Sequence, residues 1–258
     1  MTVTMPEQSW RDLVEAMHAF VNVGQCCSLC EFQRLAVWMN WSLNTYPLLQ
    51  PSMSLLYNKI VGKVNTHQQI WASKALCKEL VWFTNHINVS DSVHIMTSVS
   101  WGKNNADFNI FCDACPFGMG FWYPTGCLGF VLPINLMAAS PGIFYYEALT
   151  IVSAIYWAVH NLSLWPSSWL AIYTDNTNTV NMFNSLWAQP LYNPLLITVV
   201  ELLLKSKIHL QIFHIPGDDN IVADMLLCSC YDTIFYHALT LQVYNFRPPW
   251  LTLEADEL

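Results

Sequence analysis

The sequence predicts an α/β fold: a five-stranded mixed sheet flanked by helices and preceded by a helical region. Short apolar runs that end in a carboxylate, FNIFCD at 108–113 and WLAIYTD at 169–175, have the length and composition of buried strands. Between them IFYYEALTIVSAIYWAV, at 143–159, repeats its apolar residues at helical spacing. Before residue 100 the periodicity is helical.

A strand over 107–113 enters CDACPFGMG, where Gly118 and Gly120 break the apolar run. The runs GFWY and LGFVL follow, separated by the turn residues Pro124-Thr125-Gly126, which completes an antiparallel meander of three strands. A helix over Ile143–His160 places Phe144, Ala148, Ile151, Ile155 and Val159 on one stripe, with Glu147 at its border. A strand from Trp169 to Tyr173 leads to Asp175, and Asn176 or Thr177 caps a helix that ends near Trp187. After Pro190 and Pro194 come the helix LLITVVELLLKSK, the strand IHLQIF, a loop, and a short helix capped around Asn220. In the first hundred residues helices are expected around Trp10–Val21, Glu31–Leu43, Leu55–Val64 and Ile70–Ile87. Ser28-x-x-Glu31 and Thr66-x-x-Gln69 have the spacing of capping boxes. The polar stretch near 95–105 marks a boundary, giving a helical region over 1–100, an α/β domain over 101–235 and a C-terminal tail over 236–258.

Charge singles out the candidate site. The chain has 10 Lys and Arg against 18 Asp and Glu. Residues 1–100 are balanced, six against six, whereas 101–240 hold only Lys103, Lys205 and Lys207 against nine acids. Four of those acids, Asp113, Glu147, Asp175 and Asp224 (in HIPGDDNIVADML), sit among apolar neighbours, where a carboxylate needs a balancing cation. With few basic side chains at hand, that cation is expected to be a metal ion, and hard carboxylate oxygens suit Mg²⁺ or Mn²⁺. Taken singly, each acid reads equally well as a surface carboxylate at the end of an element.

Composition excludes other classes. Hydrophobic residues make up 54% and the mean hydropathy is +0.31, yet no apolar run of about 18 residues is free of charge or amide. Ile143–Val159 carries Glu147, and Leu195–Leu204 is short and contains Glu201, so no membrane span is expected. The segment MTVTMPEQSW lacks the apolar core of a signal peptide. Nine cysteines, odd in number and set in apolar runs, do not form a disulfide framework, and reduced thiols suit a nuclear or cytoplasmic location. Cys27-x-x-Cys30 has no second ligand pair at usable spacing for zinc.

The order strand, strand, strand, helix, strand, helix, helix, strand, helix resembles the ribonuclease H fold. FCDACPFGMGF looks like that family's first-strand Asp with its Gly-rich turn, FYYEAL like its first-helix Glu, YTDNTNTVNMFN like the third-carboxylate motif of retroelement members, and HIPGDDNIVADML like their closing signature. The resemblance covers roughly 101–235 and is nearest to the ribonuclease H segment of reverse-transcriptase polyproteins from fungal retrotransposons of the tyrosine-recombinase type. Residues 10–101 look like the thumb or connection region that precedes it, and no Y-x-D-D-like polymerase motif is present. The resemblance implies that Asp113, Glu147, Asp175 and Asp224 hold two Mg²⁺ or Mn²⁺ ions and that the chain cleaves the RNA strand of RNA/DNA hybrids. His214 matches the mobile histidine of cellular members, which shuttles protons or aids product release; its alternative role is to order the HIPG turn. A reverse-transcriptase polymerase domain, absent from this chain, is the implied protein partner. The chain departs from the pattern at ADMLLCSC, where Leu227 and Cys228 stand in place of the family's Ser and Arg. That departure supports a second expectation, a catalytically decayed retroelement fragment with weak nucleic-acid or protein binding. Other nucleases of the same superfold are a lesser rival.

Overall fold

The structure is a computed structural model and describes residues 2–89, 93–94, 101–134, 142–227, 234 and 238–249. The chain divides into two compact units, residues 1–100 with 186–193, and residues 101–185 with 194–258.

The first unit runs β1 (Thr2–Val3), α1 (Glu7–His18), β2 (Cys26–Ser28), α2 (Leu29–Ser42), α3 (Ser54–Ile60), β3 (Gln69–Trp71), α4 (Lys74–Val89) and β4 (Val93–His94). α2 starts where the capping box predicts: Ser28 Oγ accepts from the Glu31 amide at 3.3 Å, and Glu31 accepts from the Ser28 amide at 2.7 Å. The second capping box does not form. Gln69 instead opens β3, which pairs antiparallel with β2 in the register Ser28↔Gln69, Cys27↔Ile70 and Cys26↔Trp71. Ile70 is buried between exposed Gln69 and Trp71, a period of two, so the helix waits until Lys74. Phe32, Phe83, Leu80, Met17 and Met39 are fully buried at the centre of the unit.

Glu79 is buried in this unit too. Its carboxylate accepts from the Leu55 amide at 3.0 Å, so it satisfies an orphan donor in the first turn of α3. Its other oxygen accepts from Asn193 Nδ2 at 2.6 Å, and the same amide donates to Pro51 O at 2.9 Å. Ser54 Oγ donates to Ala188 O at 3.0 Å. These bonds explain why 186–193 joins the first unit. Burial pushes the Glu79 carboxyl up to about 7, against the pull of its two donors.

The second unit runs β5 (Phe108–Cys115), β6 (Gly118–Tyr123), β7 (Leu128–Pro133), α5 (Ile143–Asn161), β8 (Trp169–Thr174), α6 (Thr177–Ser185), α7 (Asn193–Ser206), β9 (His209–His214), α8 (Ile221–Leu227) and β10 (Gln242–Asn245). The sheet is mixed and has six strands, in the order β10-β7-β6-β5-β8-β9. β5, β6 and β7 form the expected antiparallel meander, while β8 lies parallel to β5 and β9 parallel to β8. The sixth strand corrects the expectation of five strands and a separate tail. β10, from residues assigned to the tail, pairs parallel with the outer edge of β7, Gln242↔Leu128 to Asn245↔Val131. It satisfies a row of edge donors and acceptors that would otherwise be open. Leu241 is buried beside Leu226 and Val222, and the Phe246 ring meets Phe121 edge-on at 5.1 Å.

Strand alternation separates the two faces of the sheet. On one, Phe121 and Phe130 stack at 4.7 Å and receive Trp157 of α5. On the other, Gly118, Gly120 and Gly129 leave room for Leu226 and Leu227 of α8.

Two outcomes are expected. Glu79 holds its proton in the folded chain to a higher pH than in the unfolded chain, so its contribution is present below the unfolded carboxyl range and lost as pH rises through about 7. A rise from 4.5 to about 7 corresponds to a loss of about 3 kcal/mol. Glu79→Gln, which cannot ionise, should flatten the pH dependence of urea unfolding relative to the parent chain. Leu241→Ala should cost roughly 2–4 kcal/mol in the same assay if β10 is an integral strand, and next to nothing if the tail is detached.

Candidate metal centre

The parallel register between β5 and β8 builds the site. Phe111 pairs with Tyr173 in the last step of their ladder; Asp113 follows two residues on, still within β5, and Asp175 follows just past the end of β8. The strands lie about 4.8 Å apart, and carboxylate oxygens of the two residues come within 4.8 Å of each other at this end of the ladder. Asp113 lies within β5 opposite Gly120 of β6. A Cβ on Gly120 would come 3.1 Å from Leu227 Cδ2 and 3.4 Å from Phe130 O, so the absence of a side chain lets α8 lie close to the strand pair. Beyond Thr174 the chain turns at once into α6: the Asn178 and Thr179 amides donate to Asn176 Oδ1 at 3.0 and 3.1 Å. Asp175 is left half-buried at the turn.

Glu147 comes from the second turn of α5, which packs against β5 and β6. One carboxylate oxygen from each of Asp113, Glu147 and Asp175 lies within 4.8 Å of the others. Asp113 is 8% exposed and Glu147 6%. Glu147 Oε2 has no hydrogen-bond partner, while Asp113 Oδ1 accepts from the Ala114 amide at 2.8 Å. None of the three makes an ion pair among the described residues.

Electrostatics follow from that geometry. Burial, then the Glu147-facing charges of Asp113 and Asp175, push the Glu147 carboxyl up to about 9. Burial and the Asp175 charge push Asp113 to about 7; the Ala114 amide opposes the rise and the charge of Asp224 adds to it. Buried Cys112 is raised well above the usual thiol range by burial and then by Glu147 and Asp113, so it remains a thiol packed in the strand. Three crowded carboxylates with an orphaned oxygen fit a bound divalent cation: the ion would supply the missing partner and remove the repulsion, and a hard oxygen set suits Mg²⁺ or Mn²⁺.

The structure places the other sequence candidates differently. Asp224 lies in the first turns of α8, exposed and outside the group of three, although its charge is felt at Asp113. His214 is the last residue of β9, where a position in the following loop was expected; it pairs with Thr174, the neighbour of Asp175, and is exposed. Its carbonyl accepts from Lys103 Nζ at 3.2 Å. Cys228 lies outside the described residues.

Two positioning residues were not legible in advance. Asn220, expected to cap α8, instead donates from Nδ2 to Cys112 O at 2.9 Å and is 2% exposed. It stitches the start of α8 to β5 one residue before Asp113. Gly217 sits so close to Asp175 that a Cβ there would come 3.2 Å from Oδ2. The HIPG turn therefore passes directly against the carboxylate, a role its glycine signalled only as a turn residue.

No protein-family model matches the chain, and no curated protein matches it.

In ion-free buffer the second unit should lose stability as pH rises through about 7 and about 9, because folded Asp113 and Glu147 keep protons that the unfolded chain releases. Mn²⁺ should restore that stability. Glu147→Gln should raise the melting temperature of the ion-free protein at alkaline pH while abolishing the gain from Mn²⁺, both read by thermal unfolding.

Proposed function

We propose that the unit formed by residues 101–185 and 194–258 is a ribonuclease H-like domain of retroelement origin that hydrolyses the RNA strand of RNA/DNA hybrids with Mg²⁺ or Mn²⁺. The observation that carries this reading is the gathering of Asp113 from β5, Asp175 from just past β8 and buried Glu147 into a group whose oxygens lie within 4.8 Å of one another. Four sequence motifs in the family's order support it.

In this reading Asp113, Glu147 and Asp175 form the inner ligand set, and exposed Asp224 adds a carboxylate from α8. Two divalent ions held by these carboxylates would supply the positive charge needed to activate an attacking water and stabilise the leaving oxygen. The residues do the rest. Burial of Asp113 and Glu147 keeps water from screening the site, and the Ala114 amide fixes the Asp113 oxygen. Asn220 and Gly217 hold α8 and the HIPG turn at the strand ends. In this reading His214, exposed at the end of β9, moves a proton to or from the departing strand; its alternative role is to order the HIPG turn. The 2′-hydroxyl is the group by which such a site tells RNA from DNA. The first unit reads as the thumb or connection region of a reverse transcriptase, with a polymerase domain as its partner, in the nucleus or cytoplasm.

One observation favours a second reading, a folded but catalytically decayed remnant. Leu227, at the position of the family's Ser, packs toward Gly118 and Gly120, and 101–240 offers only three Lys for phosphate contacts. Among the described residues no helix is long and apolar enough to cross a membrane.

The purified chain, incubated with a labelled RNA/DNA hybrid and Mg²⁺ or Mn²⁺, should cut the RNA strand to products ending in a 3′-hydroxyl. Asp113→Asn should lower the rate at least about a hundredfold. A folded wild-type chain that leaves the hybrid intact at low salt with Mn²⁺ would establish the decayed remnant.

A further inference from the structure

One segment of the first unit is basic, although residues 1–100 as a whole are balanced in charge. Between residues 32 and 78 there is no Asp or Glu, while Arg34, Lys59, Lys63, Lys74 and Lys78 all fall in that interval. Half of the chain's 10 Lys and Arg are therefore concentrated in one acid-free segment of a protein whose net charge is −8. The segment folds as most of α2, then α3, β3 and the start of α4.

An open groove of about 420 Å³ lies along this segment between α2 and α3. Gln33, Val37, Asn40 and Trp41 recur along a single face of α2 and, with Asn44 in the turn after it, line one wall; Tyr57 and Ile60 of α3 line the other. Trp41 is 51% exposed and Tyr57 37%. Trp38, at 48%, extends the aromatic surface along α2. The cations lie around this groove in sequence: Arg34 next to Gln33, Lys59 between Tyr57 and Ile60, and Lys63 just beyond α3. Glu31, the nearest carboxylate before the groove, bonds Ser28 in the α2 cap and also interacts with Arg34, so the backbone grip falls chiefly to Lys59 and Lys63.

Exposed flat rings offer a stacking face that any nucleobase can use, and Lys and Arg on the rim meet phosphates. The Gln33 and Asn40 side chains on the groove wall carry both donors and acceptors, which match unpaired base edges. A base-paired duplex buries those faces in its own stack, so this combination selects unpaired nucleotides. We infer that the α2–α3 groove binds single-stranded nucleic acid, with bases stacked on Trp41 and Tyr57 and the backbone held by Arg34, Lys59 and Lys63. The site stands independently of the nuclease reading, because it uses none of the carboxylates in the second unit.

The test is fluorescence anisotropy of a labelled twelve-nucleotide single strand, titrated with the full chain in EDTA so that no cleavage intervenes. Blunt duplex of the same sequence is the control. Binding should favour the single strand. Trp41→Ala should weaken it roughly tenfold or more, and Trp41→Phe should recover most of the loss. The double variant Lys59→Gln/Lys63→Gln should reduce the slope of log affinity against log salt by about 1.4. The binding assay in EDTA turns on residues of the first unit and the nuclease assay on carboxylates of the second, so a failed nuclease assay and a failed binding assay stay distinguishable. The inference is overturned if a folded chain binds no single strand at low salt, if duplex binds as well, or if Trp41→Ala and the double-lysine variant both bind like the parent. A groove that serves a protein partner would give the first of these results.

Discussion

Parallel pairing of β5 with β8 is the constraint from which the second unit's chemistry follows. Hydrogen-bonded strands cannot move apart, so the ladder that closes at Phe111↔Tyr173 brings Asp113 and, just past the end of β8, Asp175 to the same end of the strand pair whatever their charges prefer. Glu147 on α5 then adds a third acid, and among the described residues none of the three makes an ion pair. The raised carboxyl groups, the orphaned Glu147 Oε2 and the fit to a divalent ion are consequences of that fixed geometry. So is the need for Gly120 and Gly217, since backbone and α8 must pass close to the same crevice.

Two buried glutamates, Glu79 and Glu147, differ in what their carboxylate oxygens meet. Glu79 and Glu147 are buried to a similar degree, 7% and 6% exposed. Both are pushed upward, and in both the first cause is burial. Glu79, however, uses both oxygens: one takes the Leu55 amide and the other the Asn193 side chain, so it ends a helix and anchors a distant segment. Glu147 leaves an oxygen without any partner and faces two further carboxylates. An unpaired buried oxygen is costly unless something supplies the missing charge. Burial alone would not have separated the two; the partners do.

Much of the second unit could be read from local pattern. The runs at 108–113 and 169–175 and the stripe of α5 stand out because apolar period, turn residues and caps agree with one another in those stretches. Where local signals conflict with pairing, pairing prevailed. Thr66 and Gln69 have capping-box spacing, yet the extended backbone of Cys26–Ser28 needed a partner strand and took Gln69–Trp71. Gln242–Asn245 shows no alternation of burial that would announce a strand, and it is one only because β7 presents an open edge. Asn220 has the side chain of a cap, and its use as a clamp on Cys112 O depends on a strand more than a hundred residues earlier.

The amino-acid sequence by itself determined which acids were unusual, because charge balance and apolar surroundings are properties of the chain. Asp113, Glu147, Asp175 and Asp224 stood out from sequence composition alone. It also determined the acid-free, cation-rich interval from 32 to 78. Tertiary structure decided which of those residues meet. It gathered three carboxylates and left Asp224 exposed beside them, and it folded α2 against α3 so that Trp41 and Tyr57 share a groove. Distances between residues far apart in the chain are set by strand register and helix packing, and neither is encoded in the neighbours of any one residue.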